Sequence, residues 1–132
     1  MKLVICSPLE TVVDAEISKI SFEALDGYRT LLPKHVDYVS ALGPGIISYI
    51  PQGDTVKYVA CHQGIIVKQG AKVTISAQGT VKGNTLAELK DLIQQNYKKN
   101  EEHRKELSAA MARLELGLAR GFYQLRGSAY DG

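Results

Sequence analysis

The chain has 132 residues, an apolar share of 45%, a charged share of 23% and a formal net charge of +2. These values are ordinary for a globular protein of one domain, or of one small domain with an appendage. The charge is spread evenly, so no basic stripe predicts nucleic-acid binding, and no apolar run reaches the roughly 20 residues that span a bilayer. We therefore expect a cytosolic protein that neither binds nucleic acid nor inserts into a membrane.

The first 83 residues have the patterns of β-strands. Val73, Ile75 and Ala77 alternate with polar residues, as in a half-buried strand, and the apolar runs at 46–50 and 56–61 indicate more buried ones. Turn residues separate these runs at 52–54 and 69–71. About eight to ten short strands at this spacing predict a sandwich or a barrel.

One stretch is too long for a single regular strand. Between Val12 and Ala24, the apolar residues Val13, Ala15 and Ile17 share one parity, and the opposite parity is shared by Ile20, Phe22 and Ala24. Because strand side chains alternate between the two faces, the change of parity predicts an inserted residue, and we expect a bulge or bend near Ser18-Lys19.

The composition changes after Gly83 to strong helix formers. Thr85 and Glu88 have the spacing of a capping box, which predicts the start of a helix. Two apolar stripes then follow at helical spacing. The first stripe comprises Leu86, Leu89, Ile93 and Tyr97, and the second, here called the seam, comprises Leu107, Met111, Leu114, Leu118, Phe122 and Leu125. We therefore predict an α+β chain divided by segment: an antiparallel β-sandwich domain at 1–83 and a two-helix hairpin domain at 84–132.

The segment at 98–105 between the stripes is polar and contains neither proline nor glycine, and Asn100 is its best turn candidate. A hairpin would bury the stripes against each other. One continuous helix from Thr85 to Leu125 would be about 60 Å long and would need a partner to cover the seam. Four arginines are candidates for contacts with acidic surface on a partner, although a solvated face is the simpler interpretation: Arg104, Arg113, Arg120 and Arg126.

No sequence signature of catalysis or of a metal site is present. The Gly43-Pro44-Gly45 segment lacks the lysine and the helix of a phosphate loop. Cys61 and His62 are neighbours in a strand, so their side chains point to opposite faces. Both Cys6 and Cys61 lie in apolar runs and are expected to be buried, inert thiols. We predict that the chain is not an enzyme and uses no cofactor and no metal ion.

Several segments, taken in order, resemble the epsilon subunit of F-type ATP synthases. They are Ser7-Pro8 with 11–17, Leu31-Leu32-Pro33-Lys34-His35, Ser40-Ala41-Leu42-Gly43-Pro44-Gly45, 63–67 and Val73-Thr74-Ile75-Ser76-Ala77. The resemblance covers nearly the whole predicted sandwich, and the helices follow where that family has them. The shared order and spacing are more specific than any single motif.

The resemblance implies a non-catalytic subunit of the central stalk, peripheral on the cytoplasmic side of a bacterial membrane. In that family the sandwich binds the gamma subunit and rests on the ring of c subunits. The C-terminal helices fold as a hairpin or extend towards the alpha and beta subunits, where they restrain ATP hydrolysis. By position, the residues that match the ring contact are Asp26, Gly27, Tyr28, Arg29, Lys34 and His35. The two stripes and Asn100 match the helix-packing switch.

The chain departs from the family pattern in three places. Lys34 replaces a glycine, and Tyr28-Arg29 replaces a more acidic loop, which implies a more cationic ring contact. Residues 84–100 lack the Arg-Ala of the nucleotide-binding motif of some relatives. The segments at 35–38 and 120–125 are similar to the N-type ATPase branch, some members of which are thought to move sodium.

Two other interpretations stay open at this point. The first is a free-standing interaction module in which a sandwich and a helical arm engage some other partner. The second is a small enzyme with a cleft between sandwich and helices. Recovery of gamma on co-purification would favour the stalk subunit, and a deep polar pocket with a titratable pair would favour the enzyme.

Overall fold

The computed structural model describes residues 1–96 and 101–127, and it describes side chains for residues 1–95 and 101–118. Strands come first in the chain and helices last. The strands are β1 (Lys2–Cys6), β2 (Thr11–Ala24), β3 (Gly27–Leu31), β4 (Tyr38–Leu42), β5 (Gly45–Pro51), β6 (Lys57–Cys61), β7 (Gln63–Gln69), β8 (Lys72–Gln78) and β9 (Val81–Gly83). The helices are α1 (Leu86–Asn96) and α2 (Glu101–Gly127).

The strands form two sheets that share β2. Sheet I has the order β4-β7-β8-β1-β2, and sheet II has the order β3-β2-β5-β6-β9. The paired strands are antiparallel except β1 and β8, which run parallel. The predicted sandwich is confirmed, and the parallel pair corrects its purely antiparallel description. The parallel pair forms on the side of β1 that is not paired with β2.

The predicted irregularity in β2 is confirmed. Up to Glu16 the strand pairs with β1, and from Ile17 it pairs with β5, with a shift of register between Ile17 and Lys19. The Oγ of Ser18 donates a hydrogen bond to the carbonyl oxygen of Ile50 (3.3 Å). Ile17 and Ile20 are both fully buried, so the extra residue keeps apolar side chains on the inner face across the bend.

The main core lies between the sheets and draws its side chains from their inner faces, including Leu3, Ile17, Phe22 and Ile75. The turns that join the strands have the predicted chemistry. Gly53 and Gly70 adopt positive φ angles of 74° and 60°, a backbone conformation that other residues adopt at a cost.

The two helices cover the outer face of sheet II. Leu89 and Ile93 of α1 and Leu107 of α2 pack with Ile46 and Ala60 of the sheet in a second buried cluster. The predicted cap is present: Glu88 N–H donates to Thr85 Oγ1 (3.1 Å), and the Glu88 carboxylate accepts from the N–H of Asn84 (3.4 Å). The hairpin is confirmed by contacts between the end of α1 and the start of α2, such as Arg104 to Gln94 (3.2 Å).

The helix approaches the sheet closely at Gly83. A Cβ atom on Gly83 would lie 2.9 Å from the Cβ and 3.0 Å from the Cα of Leu89. No other residue type leaves room for α1 at this distance, so this glycine sets the spacing between α1 and the sheet.

The seam is buried along only part of its length. Leu107, Met111 and Leu114 are buried, and they pack against sheet II as well as against α1. Leu118, in contrast, is 51% exposed, so the prediction that the whole seam is covered is wrong at this residue. There a groove lined by residues of β2, β3 and β5 separates α2 from sheet II. Tyr97 and Asn100 lie outside the described residues, as do the side chains of Phe122 and Leu125.

Candidate interaction surfaces

The six residues predicted for the ring contact lie in two segments, one that runs from the turn before β3 into the strand itself and one in the connection after β3. Asp26 and Gly27 are at the turn between β2 and β3, and Lys34 and His35 are in the connection from β3 to β4. The four-residue step from Gly27 to Leu31 spans about 13 Å at the rise of a β-strand. The structure therefore places the two segments near opposite ends of β3 rather than side by side.

The turn segment is organised by an ion pair. Arg29 and Asp26 form a salt bridge, which lowers the pKa of the Asp26 carboxyl and raises the pKa of the Arg29 guanidinium. Tyr38 on β4 makes a smaller contribution to the raised pKa of Arg29. Tyr28 belongs to the other face of β3, where it lines the groove beneath Leu118.

The second segment is held in a compact loop. The N–H of His35 donates to the carbonyl oxygen of Leu32 (2.9 Å), and its Nδ1 lies 2.8 Å from the carbonyl oxygen of Val36. The imidazole meets the ring of Tyr38 edge-on, with centroids 6.2 Å apart. Lys34 is exposed beside it. The loop thus offers a lysine and a histidine at one end of the sandwich.

A buried lysine under this loop was not predicted from the sequence. Lys68 is 2% exposed, and its Nζ donates to the carbonyl oxygens of His35 (2.6 Å) and Gly70 (2.7 Å). The Oδ1 of Asp37 accepts from the N–H of Gly70 (2.9 Å). A signal was available, because Lys68 has the same parity in its strand as the buried Ile66.

Two of the four predicted basic residues make contacts within the chain. Arg113 on α2 forms a two-pronged contact with Glu23 on β2, at 2.8 to 3.2 Å, which raises the pKa of the guanidinium. Arg104 contacts Gln94 and Glu101. The role of Glu23 was missed because the sequence does not show that a residue 90 positions away lies above it. The side chains of Arg120 and Arg126 lie outside the described residues.

A histidine contact joins the start of α2 to the sandwich. His62 Nε2 lies 3.3 Å from Glu106 Oε2, and the His62 ring stacks on His103 with centroids 3.6 Å apart. Cys61 points the other way into the core, as predicted, and burial raises the pKa of its thiol to about 11. In the part of the chain that the structure describes, no three side chains of the metal-ligating types are grouped as a site.

The outer face of sheet I carries an exposed apolar strip. Val39 on the edge strand β4 pairs with Val67 on β7, and Ala41 pairs with Ile65. Val39 is 69% exposed and Ile65 is 53% exposed. We call these four residues the strip. An exposed apolar patch on an edge strand is typical of an interaction surface.

The groove between α2 and sheet II offers no catalytic arrangement. It has a volume of about 250 Å³ and is lined mainly by apolar groups, including Ile46, Leu114 and Leu118. Its charged pair, Glu23 with Arg113, is an ion pair in which the arginine stays protonated. Nothing in this groove supports the enzyme interpretation.

No helix among the described residues is both long and apolar enough to cross a membrane.

Comparisons with known proteins agree on one family. The family model described as "ATP synthase, Delta/Epsilon chain, beta-sandwich domain" matches residues 1–83. ATP synthase epsilon chain 2 of Paraburkholderia xenovorans is 27% identical over 97 residues, which are 71% of this chain and 69% of that one. The ATP synthase epsilon chain of Clostridium botulinum strain Hall is 28% identical over 82 residues, 62% of each chain. The second match therefore spans less than two thirds of that relative.

Two solved structures share the fold. One is described as the central stalk and c-ring of the Tetrahymena thermophila mitochondrial ATP synthase, with a TM-score of 0.58 at 14% identity over 83% of this chain and 96% of that one. The other comes from the Euglena gracilis mitochondrial ATP synthase, with a TM-score of 0.58 at 19% identity over 88% and 79% of the two chains. At these identities the likeness concerns the fold.

Proposed function

The chain belongs to the ATP synthase delta/epsilon chain family, and on that premise we propose that it is a non-catalytic subunit of the central stalk of a rotary F-type ATP synthase. It links the gamma subunit to the c-ring during ion-driven ATP synthesis, and it sits peripherally on the cytoplasmic side of a bacterial membrane. The observation that carries this proposal is the family match over the whole sandwich, followed by a helical hairpin docked on sheet II.

Gamma is the partner proposed for the strip. The helices already cover sheet II, whereas Val39, Ala41, Ile65 and Val67 leave the outer face of sheet I open and apolar. Burial of these side chains would release ordered water and contribute most of the affinity.

Co-purification tests this assignment. The tagged full-length chain, expressed with the gamma subunit of the same host, should recover gamma in a stoichiometric complex. If gamma is never recovered although the chain is folded, the stalk assignment is wrong and the free-standing module becomes the better interpretation.

The ring contact is proposed for the exposed cations near β3. Arg29 and Lys34 are both exposed, so the double variant Arg29→Glu with Lys34→Glu should leave the sandwich folded. It should weaken the coupling of ion flow to ATP synthesis in vesicles that contain the reconstituted complex. Unchanged coupling, with the subunit present at full occupancy, would contradict this role. The exposed Lys72→Glu on β8 is a control for the change of charge.

Restraint of ATP hydrolysis is proposed for α2. In the docked hairpin, Leu107, Met111 and Leu114 are buried against the sandwich and α1. Extension towards the alpha and beta subunits requires partner helices that bury the same side chains, because only such contacts favour the extended state. Asn100, outside the described residues, is where a continuous helix would have to form. Asn100→Pro should disfavour that helix by about 3 kcal/mol or more and raise ATP hydrolysis by the whole complex. An equal or lower rate would leave the helices a static brace.

A further inference from the structure

We propose that Lys68 is a positioning residue that, with Asp37, clips the β3–β4 loop (residues 32–37) to the β7–β8 turn. The clip presents Lys34 and His35 to the c-ring in a preformed conformation. This inference rests on the ring contact proposed above, and it adds a residue from a different hairpin to that site.

Lys68 lies at a buried position of β7. Ile66 and Lys68 are buried, whereas their neighbours Ile65 and Val67 are exposed, so this lysine occupies a core-facing place. Burial of an ammonium group is costly unless hydrogen bonds replace its hydration. A lysine at such a place therefore needs specific acceptors.

The hydrogen-bond acceptors of Lys68 lie in two different connections of the chain. The Nζ of Lys68 donates to the backbone carbonyl of His35 in one connection and to that of Gly70 in another. The carboxylate of Asp37 accepts from the N–H of Gly70, so two side chains of opposite charge join the same loop to the same turn. Hydrogen bonds that involve charged groups are stronger than neutral ones. The loop is thereby tied to the sandwich through its own backbone.

The hydrogen bonds of the clip account for a lysine at position 68, where the other inward-facing residue of the strand, Ile66, is apolar. An apolar side chain of similar volume would avoid the desolvation cost of the buried ammonium group. It could not, however, hold the carbonyl group of His35. What Lys68 supplies is the conformation of the loop, and a loop ordered in advance loses less entropy when it binds a partner.

Hydrogen exchange on the full-length chain tests the clip directly. In Lys68→Met the amides of His35, which donates to Leu32, and of Gly70, which donates to Asp37, should exchange about ten-fold faster than in the parent, since the loss of charge-assisted hydrogen bonds lowers the cost of local opening. Lys72→Met, an exposed lysine in the same hairpin, should leave those rates unchanged. Equal rates in Lys68→Met and the parent would overturn the proposal, whatever the partner of the loop.

Binding to the detergent-solubilised c-ring tests the presentation of the loop. The affinity of Lys68→Met should fall about ten-fold because the loop must be ordered on binding, whereas recovery of gamma and the affinity of Lys72→Met should stay at the parent level. A faster-exchanging Lys68→Met that binds the ring like the parent would overturn the presentation role. If the parent itself does not bind the ring, the proposed ring contact fails, and the exchange rates alone decide whether Lys68 positions the loop.

Discussion

The two outer faces of the sandwich are both apolar in part, but among the residues that the structure describes, helices cover only one of them. On sheet II, Ile46 and Ala60 lie beneath α1 and α2, and the cluster they form there is buried. On sheet I, the strip of Val39, Ala41, Ile65 and Val67 remains exposed. An apolar sheet face is stabilised by a cover in either case. The helices supply it within the chain on one side, and on the other side we expect a partner to supply it.

The largest effect is expected when the helices that cover sheet II are detached. Leu114→Asp places a charge at a buried seam position, and we expect it to cost about 3–5 kcal/mol and to detach α2 from the sheet. Hydrogen exchange of α2 should show the detachment, whereas Leu116→Asp, at an exposed position of the same helix, should have little effect.

The core between the sheets provides the control for that variant. Cys61 is buried, and its raised pKa of about 11 keeps the reactive thiolate scarce at neutral pH. If only the helices detach, its labelling by a thiol reagent at pH 7.5 should stay slow. Rapid labelling in Leu114→Asp would mean that the sandwich opens with the hairpin, and the two faces would then not be independent.

The open face is tested by making the strip polar. The double variant Ile65→Ser with Val67→Thr should leave the stability within about 0.5 kcal/mol, because both side chains are exposed. It should weaken capture of gamma by about 3 kcal/mol, which is more than a hundred-fold in affinity. Leu9→Ser, at a fully exposed turn residue, serves as the control. Full capture by the double variant would show that gamma binds elsewhere.

A smaller effect is expected at the glycine that lets α1 approach the sheet. Gly83→Ala puts a methyl group against the backbone of Leu89, and we expect a loss of about 1–3 kcal/mol in unfolding free energy. Gly117→Ala is the matched opposite, because nothing lies within 4 Å of its added Cβ. It should stabilise α2 by about 0.5–1 kcal/mol, since alanine is the better helix former. Denaturant unfolding measures both, and a neutral Gly83→Ala would mean that α1 can shift at no cost.

The smallest effect concerns the ion pair that ties α2 to β2. Arg113 and Glu23 are 52% and 35% exposed, so solvent screens their attraction, and the pair should contribute no more than about 1 kcal/mol. A double-mutant cycle with Arg113→Met and Glu23→Gln would measure the coupling, which should fall as salt is added. A larger, salt-independent coupling would mean that polar contacts, rather than the apolar side chains of the seam, hold α2 against sheet II.

The sequence predicted features that depend on neighbours along the chain. The bend at Ser18 follows from the local switch of parity, and the start of α1 follows from Thr85 and Glu88, three residues apart. It did not predict features that depend on distant segments. Helical spacing makes Leu118 equivalent to Leu114, but a groove lies between Leu118 and sheet II, and nothing in the sequence of α2 marks that groove.

The candidate surfaces also differ in whether the sequence could reveal them. The two segments predicted for the ring contact were identified by position, from the resemblance of the sequence to the epsilon subunit. The clip of Lys68 on the carbonyl of His35 joins residues 33 positions apart, and it becomes visible only when the two hairpins are side by side. The same holds for the strip, whose four residues form one surface because β4 pairs with β7 across the sandwich edge.

The bend in β2 has a mechanical consequence. In a sandwich whose strands each belong to one sheet, the sheets are joined by side-chain packing and by loops, but by no shared strand. Here the backbone of one strand runs from sheet I, where it pairs with β1, into sheet II, where it pairs with β5. A twisting load on sheet I is therefore carried into sheet II by one continuous strand as well as by packing, and the shift of register between Ile17 and Lys19 lies on that path.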